Sequence, residues 1–172
     1  MKGTATLSLL HMDTDAAISL LKESAFVLGV FGFLLVYAFL RGRQAITNLI
    51  LGLYLALLIT LKFPYFDAIL KNVADARSKS MVMIGIFAIF TILATLLFSR
   101  LMPREYAEGK FEATGKKLAF ALAGTILVMA YSYHALPVTE FIDPGSPIQS
   151  IFAPEKGFFL WLLVPLAILF IL

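Results

Sequence analysis

Residues 25–61 read AFVLGVFGFLLVYAFL, then RGRQ, then AITNLILGLYLALLITL. Two apolar runs of 16 and 17 residues, Ala25–Leu40 and Ala45–Leu61, flank a four-residue polar break. Neither contains an Asp, Glu, Lys or Arg. A helix that crosses hydrocarbon satisfies its own backbone and needs such an unbroken apolar stretch. So short a connection makes the two helices antiparallel neighbours. Gly42 can take the left-handed conformation that stops the first of them. Arg41-Gly42-Arg43 is therefore the topology-setting turn.

The same pattern recurs down the chain. Met81–Phe98, Leu118–Leu136 and Phe158–Leu172 add runs of 18, 19 and 15 residues, again without a charge. All 14 basic and 11 acidic residues of the 172-residue chain fall outside the five runs. Apolar residues make up 60% and charged residues 15%, with a mean hydropathy of +0.92. Soluble domains run nearer ~25% charged. This partition excludes a soluble globular domain, a disordered chain and a nucleic-acid-binding module. The expected fold is all-α, one polytopic membrane helical bundle over 1–172 with about five transmembrane helices. The lipid bilayer is then its first partner.

The connections carry more information. Asp13-Thr14-Asp15 is a helix N-cap cluster, and residues 15–23 read as an interfacial lead-in to the first span. Lys2 precedes a stretch too broken by Thr4, Thr6, Ser8 and His11 for a cleaved signal peptide, and Met12 offers an alternative start. After the second span, Pro64 suits a first helical turn. Phe66, Ile69, Leu70 and Val73 then share one face, which predicts an amphipathic surface helix near 64–76. Ser99–Lys117 alternates in charge and reads as a solvated helical segment broken at Gly109 and Gly115. Pro137–Lys156 holds Pro137, Pro144, Pro147 and Pro154, so an ordered loop rather than a continuous helix is expected. The fifth run is short for a span, at ~22 Å of rise against ~30 Å of hydrocarbon, and Pro165 should kink it.

An odd span count puts the termini on opposite faces. Basic residues divide seven to seven between the faces, and acidic residues eight to three. The short cationic hairpin at 41–43 tips the orientation towards N-terminus outside and C-terminus inside.

Candidate functional residues are sparse. Asn48, Gly52, Ala56 and Thr60 recur every four residues and form one stripe of small or polar side chains. Gly85, Ala88, Thr95 and Ser99 form a comparable face on the third span, Ala25 and Gly29 on the first, Ala119 and Ala123 on the fourth. Small residues let helices approach closely in lipid, so these are helix-packing candidates; the alternative is a polar pore lining. His134, beside Tyr131 and Tyr133, reads as a hydrogen-bonded interfacial anchor. As a haem ligand it would want a second axial residue, and the chain's other histidine is His11. Zero cysteines exclude disulfides and thiolate metal sites. No span carries an acid, Lys or Arg, which argues against a self-contained ion-coupled carrier. No phosphate loop, HExxH pair or nucleophile elbow occurs, so no enzyme, catalytic residue or cofactor is expected.

The layout of residues 23–136 resembles the colicin V production protein (CvpA-like) family. The matching features are Glu23 before the first span, the Arg41-Gly42 turn, the Asn48–Thr60 span and Phe63-Pro64-Tyr65-Phe66. Lys116-Lys117-Leu118 before a fourth span fits the same order. Ala123-Gly124, without an Arg, stands where the family has glycines and a basic residue, and a fifth span is appended. The resemblance implies a small inner-membrane protein linked to export and envelope homeostasis. Taken together, a non-enzymatic assembly, scaffold or accessory subunit is expected, as a homo-oligomer or within a larger complex. A small oligomeric pore or carrier lined by spans two and three is the alternative.

Overall fold

The computed structural model describes residues 24–71, 73–102, 110–136, 141 and 147–172, and every regular element among them is helical. In chain order these are α1 (Ser24–Arg41), α2 (Arg43–Leu61), α3 (Phe66–Leu70), α4 (Ala76–Leu101), α5 (Lys110–His134), α6 (Pro147–Phe152) and α7 (Glu155–Ile171). Three of them, α1, α2 and α4, are long and apolar enough to cross a membrane.

The α1–α2 break rests on one residue. Gly42 has φ 87° and ψ 173°, the only positive φ among the described residues, while its N–H still donates to the Ala38 carbonyl at 3.0 Å. The positive φ expected of Gly42 is present, but ψ is extended rather than left-handed helical. Only glycine occupies that region at low cost. A Cβ there would meet nothing within 4 Å. Gly42→Ala is thus expected to cost ~1–3 kcal/mol of backbone strain alone. An SDS-titration midpoint unchanged from wild type would contradict this.

The long helices are arranged in alternating directions, so their ends gather in two layers. At one end the Gln44 amide donates to the Met102 carbonyl at 3.4 Å, joining the start of α2 to the end of α4. Arg43 donates to the Leu172 main-chain oxygen at 2.7 Å and lies 5.5 Å over the Phe120 ring. Lys117 lies 5.3 Å over Phe39. These contacts place the end of α1 and the start of α5 with the end of α7. At the opposite end Phe63 packs edge-on against Tyr65, Phe66 and Phe90. Arg77 lies 5.2 Å over Phe141.

α2 is the centre of the bundle. It packs most extensively on α4, and also on α5, which in turn carries α7. The core joins Leu34 and Ala38 of α1, Ile46, Ile50, Leu53 and Ala56 of α2, Phe87 of α4, and Phe120, Leu127 and Tyr131 of α5. Three buried hydroxyls inside this apolar assembly are satisfied within their own helices. Thr91 donates to Phe87, Thr125 to Ala121 and Ser132 to Val128, at 2.9, 2.8 and 2.8 Å. Bonding back one turn removes the penalty of an unpaired hydroxyl in an apolar interior.

Several expectations are corrected. The surface helix is not 64–76 but a single turn, Phe66–Leu70, with Pro64 in the turn before it. Five residues without a capping side chain sustain little more than one turn. Gly115 does not break the charged connection. α5 runs through it from Lys110, since one glycine costs only ~1 kcal/mol and a long packed helix absorbs that. The 137–156 segment contains a short helix, α6, seated against α5 and α7. The last helix gains length by starting at Glu155, and it continues through a buried Pro165. At 17 residues it rises ~26 Å. The lead-in 15–23, Met12, His11 and Gly109 lie outside the described residues.

Candidate functional site

The α2 stripe is fully internal. Asn48 is 3% exposed, Ala56 0% and Thr60 5%, and Gly52 is buried with them. Gly52 marks the point where α2 and α4 cross. A Cβ built on it would lie 3.0 Å from the Thr95 backbone nitrogen and 3.2 Å from its Cα, and closer still to Oγ1. Only glycine allows this approach, the role small residues play in apolar helix pairs.

The partner face of α4 is not the predicted one. Its buried residues are Ser80, Phe87, Thr91 and Ala94, with Thr95 half-buried at the crossing. Gly85 and Ala88 point outward, and a Cβ on Gly85 would meet nothing. Both are exposed, away from the other described helices. α4 is apolar on every side, so periodicity could not say which side faces α2. Ala123 is buried as a packing residue should be, whereas Ala25 and Gly29 are exposed and Ala119 is intermediate.

Above the Gly52–Thr95 crossing the helices separate. A cavity of about 360 Å³ opens between α1, α2 and α4, lined by Tyr37, Arg41, Gln44, Asn48, Thr95 and Ser99, with Ala45 and Leu96. Arg41 is exposed and Asn48 is buried. Asn48 Oδ1 has no hydrogen-bond partner among the described residues. Thr95 donates its hydroxyl hydrogen to the Thr91 carbonyl at 2.7 Å, and Ser99 donates to Leu96 at 2.7 Å. Both hydroxyl hydrogens are thus engaged within α4. Tyr37 and Gln44 were not singled out by the sequence; a Gln directly after the hairpin, in register with Asn48, was the available signal.

The cavity does not reach Thr60, which lies beyond the tight crossing, buried and, among the described residues, without a partner for its Oγ1. Within one chain, Asn48 and Thr95 are thus brought together and Thr60 is not. A second cavity, of about 540 Å³, is bounded by α1, α2 and α5 and lined by apolar side chains, including Phe26, Gly29, Phe33 and Leu53.

His134 occupies an anchoring position. Its Nε2 donates to the Phe152 carbonyl at 2.7 Å, and its ring lies 4.3 Å from that of Phe158. Trp161 Nε1 donates to the Ile151 carbonyl at 3.0 Å and its ring packs on Phe152. These contacts clamp α6 between the end of α5 and the start of α7. On α7 itself, Pro165 cannot donate to the Trp161 carbonyl and its ring crowds the preceding turn. Tyr54 of α2 donates its hydroxyl to the Leu162 carbonyl in that turn. Tyr54→Phe is expected to loosen α7 from α2 and cost ~1–2 kcal/mol. Hydrogen exchange at the amides of α7 would measure it, and unchanged protection would refute the bond.

Among the described residues, fold and site together define an all-helical bundle with three helices long and apolar enough to cross a membrane and a polar cavity at the end of the central pair. No protein-family model, no curated protein and no solved structure matches the chain.

Proposed function

We propose that this chain is a non-enzymatic integral membrane protein that works by assembling with itself or with other membrane subunits. The carrying observation is the outer surface. Large apolar side chains stand exposed along α1, α4 and α7, among them Phe33, Leu40, Ile89, Ile92, Leu96, Phe159 and Phe170. Between them lie outward small residues, Gly29, Gly85 and Ala88, with open space where a partner helix could approach. Apolar surface on this scale suits lipid or a partner, not water. Outward glycines at helix-helix spacing favour a partner over lipid alone.

The reading includes five crossings, α1, α2, α4, α5 and α7, with α3 at the interface. The charge-free middles of those helices and the two layers of polar ends support it. α4 rises ~39 Å, which carries Arg77, Lys79 and Arg100 beyond ~30 Å of hydrocarbon. It also includes a bacterial inner-membrane location, N-terminus outside and C-terminus inside, and a role in export or envelope homeostasis akin to CvpA-like proteins. The chain has no cysteine. Ala74→Cys and Gly115→Cys therefore report the two faces cleanly, with Ala74 labelled from outside and Gly115 only from inside. The reverse would overturn the orientation.

Native mass spectrometry in mild detergent tests the assembly. The expected result is a discrete oligomer that Gly85→Leu dissociates without lowering monomer stability. A wild-type particle that is strictly monomeric, in detergent and in nanodiscs, would sink the proposal. A pore running through Asn48, Thr60 and Thr95 of one chain is disfavoured by the closed Gly52–Thr95 crossing.

A further inference from the structure

The net charge of +3 is not shared between the two faces of the bundle. The connections on the face of Arg41–Gln44 and Ser99–Lys117 hold seven basic and three acidic residues, and those on the other face seven and eight. The first face is thus net +4 and the second net −1. Three cations of the first face also share one depth. Lys117 directly precedes the uncharged run Leu118–Leu136, and Arg41 and Arg43 stand between the runs Ala25–Leu40 and Ala45–Leu61. Two of the three are held by aromatic rings where α1, α2 and α5 meet. Lys117 Nζ lies 5.3 Å over Phe39 of α1, and the Arg43 guanidinium lies 5.5 Å over Phe120 of α5. Phe120 follows Lys117 by three residues, about one turn, so both cations border one seam. Arg43 also donates to the Leu172 main-chain oxygen, which engages part of its donor fork. Lys117 differs. A ring face attracts an ammonium but accepts no conventional hydrogen bond, so the N–H donors of Lys117 remain for an oxygen ligand. On the adjoining helices Phe39, Leu118 and Leu122 stand exposed and offer an apolar flank.

We propose that this seam binds an anionic phospholipid, with the phosphate on the Lys117 ammonium, Arg43 adding positive field, and the acyl chains along Phe39, Leu118 and Leu122. The proposal rests on the chain being a membrane protein. A cation at the edge of an uncharged run lies where headgroups meet helix ends, and basic seams between spanning helices suit anionic headgroups. Charge complementarity sets the class of lipid. A choline or ethanolamine headgroup brings an ammonium of its own to a face that is already net positive, and the fixed cations repel it. A glycerol headgroup brings the phosphate with hydroxyls alone. The ring beneath Lys117 holds the cation in place before the lipid arrives, which lowers the cost of ordering it.

The test uses full-length protein released from nanodiscs made of equal phosphatidylglycerol, phosphatidylcholine and phosphatidylethanolamine, with bound lipid counted by native mass spectrometry. Phosphatidylglycerol should be retained at least about fivefold over phosphatidylcholine, the factor implied by one cation beside an anionic headgroup. The ethanolamine lipid should be retained like the choline lipid, because both are zwitterionic. Lys117→Gln should bring the glycerol-to-choline ratio to within about twofold of one, and Lys117→Arg should preserve it. Lys117 is half-buried at a helix end, so neither variant touches the core. Lys79→Gln removes an exposed cation from the opposite end and should leave the ratio unchanged. Equal retention of the three lipids, a preference for either zwitterionic lipid, or a glycerol preference that survives Lys117→Gln would each overturn the assignment. So would a preference that Lys79→Gln weakens as much as Lys117→Gln does, since that is diffuse charge and not a site. Failure of the membrane reading would look different: the chain would leave the membrane fraction on carbonate washing and enter no nanodisc.

Discussion

Gly52→Ala should separate α2 from α4 and cost this protein ~2–3 kcal/mol, more than any other glycine-to-alanine change among the described helices. The added methyl would press on the Thr95 backbone as well as its hydroxyl, and backbone cannot swing aside. Gly124 provides the control. A Cβ there would meet the Leu34 Cδ1 at 3.0 Å, the tip of a flexible side chain, and the Ile50 Cγ1 at an ordinary contact distance of 3.7 Å. Gly124→Ala should therefore cost under ~1 kcal/mol. At Gly85 nothing lies within 4 Å, so Ala should be neutral or should stabilise by up to ~1 kcal/mol through helix propensity. The order Gly52, then Gly124, then Gly85 can be read from SDS-unfolding midpoints of three variants in one detergent. A Gly52 variant as stable as the Gly85 variant would mean that α2 and α4 do not cross there.

The second large effect is expected at Tyr131, and its sign depends on the substitution. The ring is 1% exposed and stands edge-on to Phe87, with centroids 5.8 Å apart. Its hydroxyl is buried and has no partner among the described residues. Tyr131→Phe keeps the ring contacts and removes an unpaired polar atom, so it should stabilise the bundle by ~1 kcal/mol. Tyr131→Ala removes the ring and should cost ~3–5 kcal/mol, because a bundle held by packing cannot refill so large a void. Thermal aggregation midpoints of the two variants should move in opposite directions. If Phe destabilises as Ala does, the hydroxyl has a partner.

Both positions show how far the sequence could be read. The helices were legible because long uncharged apolar runs satisfy their own backbone as helices, and five such runs map onto α1, α2, α4, α5 and α7. Gly42 was legible because a four-residue reversal needs a residue that tolerates positive φ. The Asn48–Thr60 stripe was legible because α2 carries small and polar residues on one line amid bulky ones. The α4 face was not. Gly85 and Ala88 on one side, and Thr91 and Ala94 on another, are equally small, and an all-round apolar helix has no preferred side. Tyr131, a sequence neighbour of the anchor His134, gave no sign of being core, yet the fold buries it. The short α3 and the unbroken α5 were misjudged because single residues, Pro64 and Gly115, were weighed without the packing that decides them.

The amino-acid sequence by itself thus determined the class: which segments are helices, where the chain reverses, and that charge stays at the helix ends. It did so because exclusion of water acts on each segment separately and is written in every run of residues. Only the tertiary structure decided which glycine is a crossing point and which lies open, and that Asn48, Thr95 and Ser99 meet Arg41 around one cavity. Those are relations between helices. In an apolar bundle many rotations of a helix bury the same kind of surface, so the choice among them falls to shape at a few close contacts.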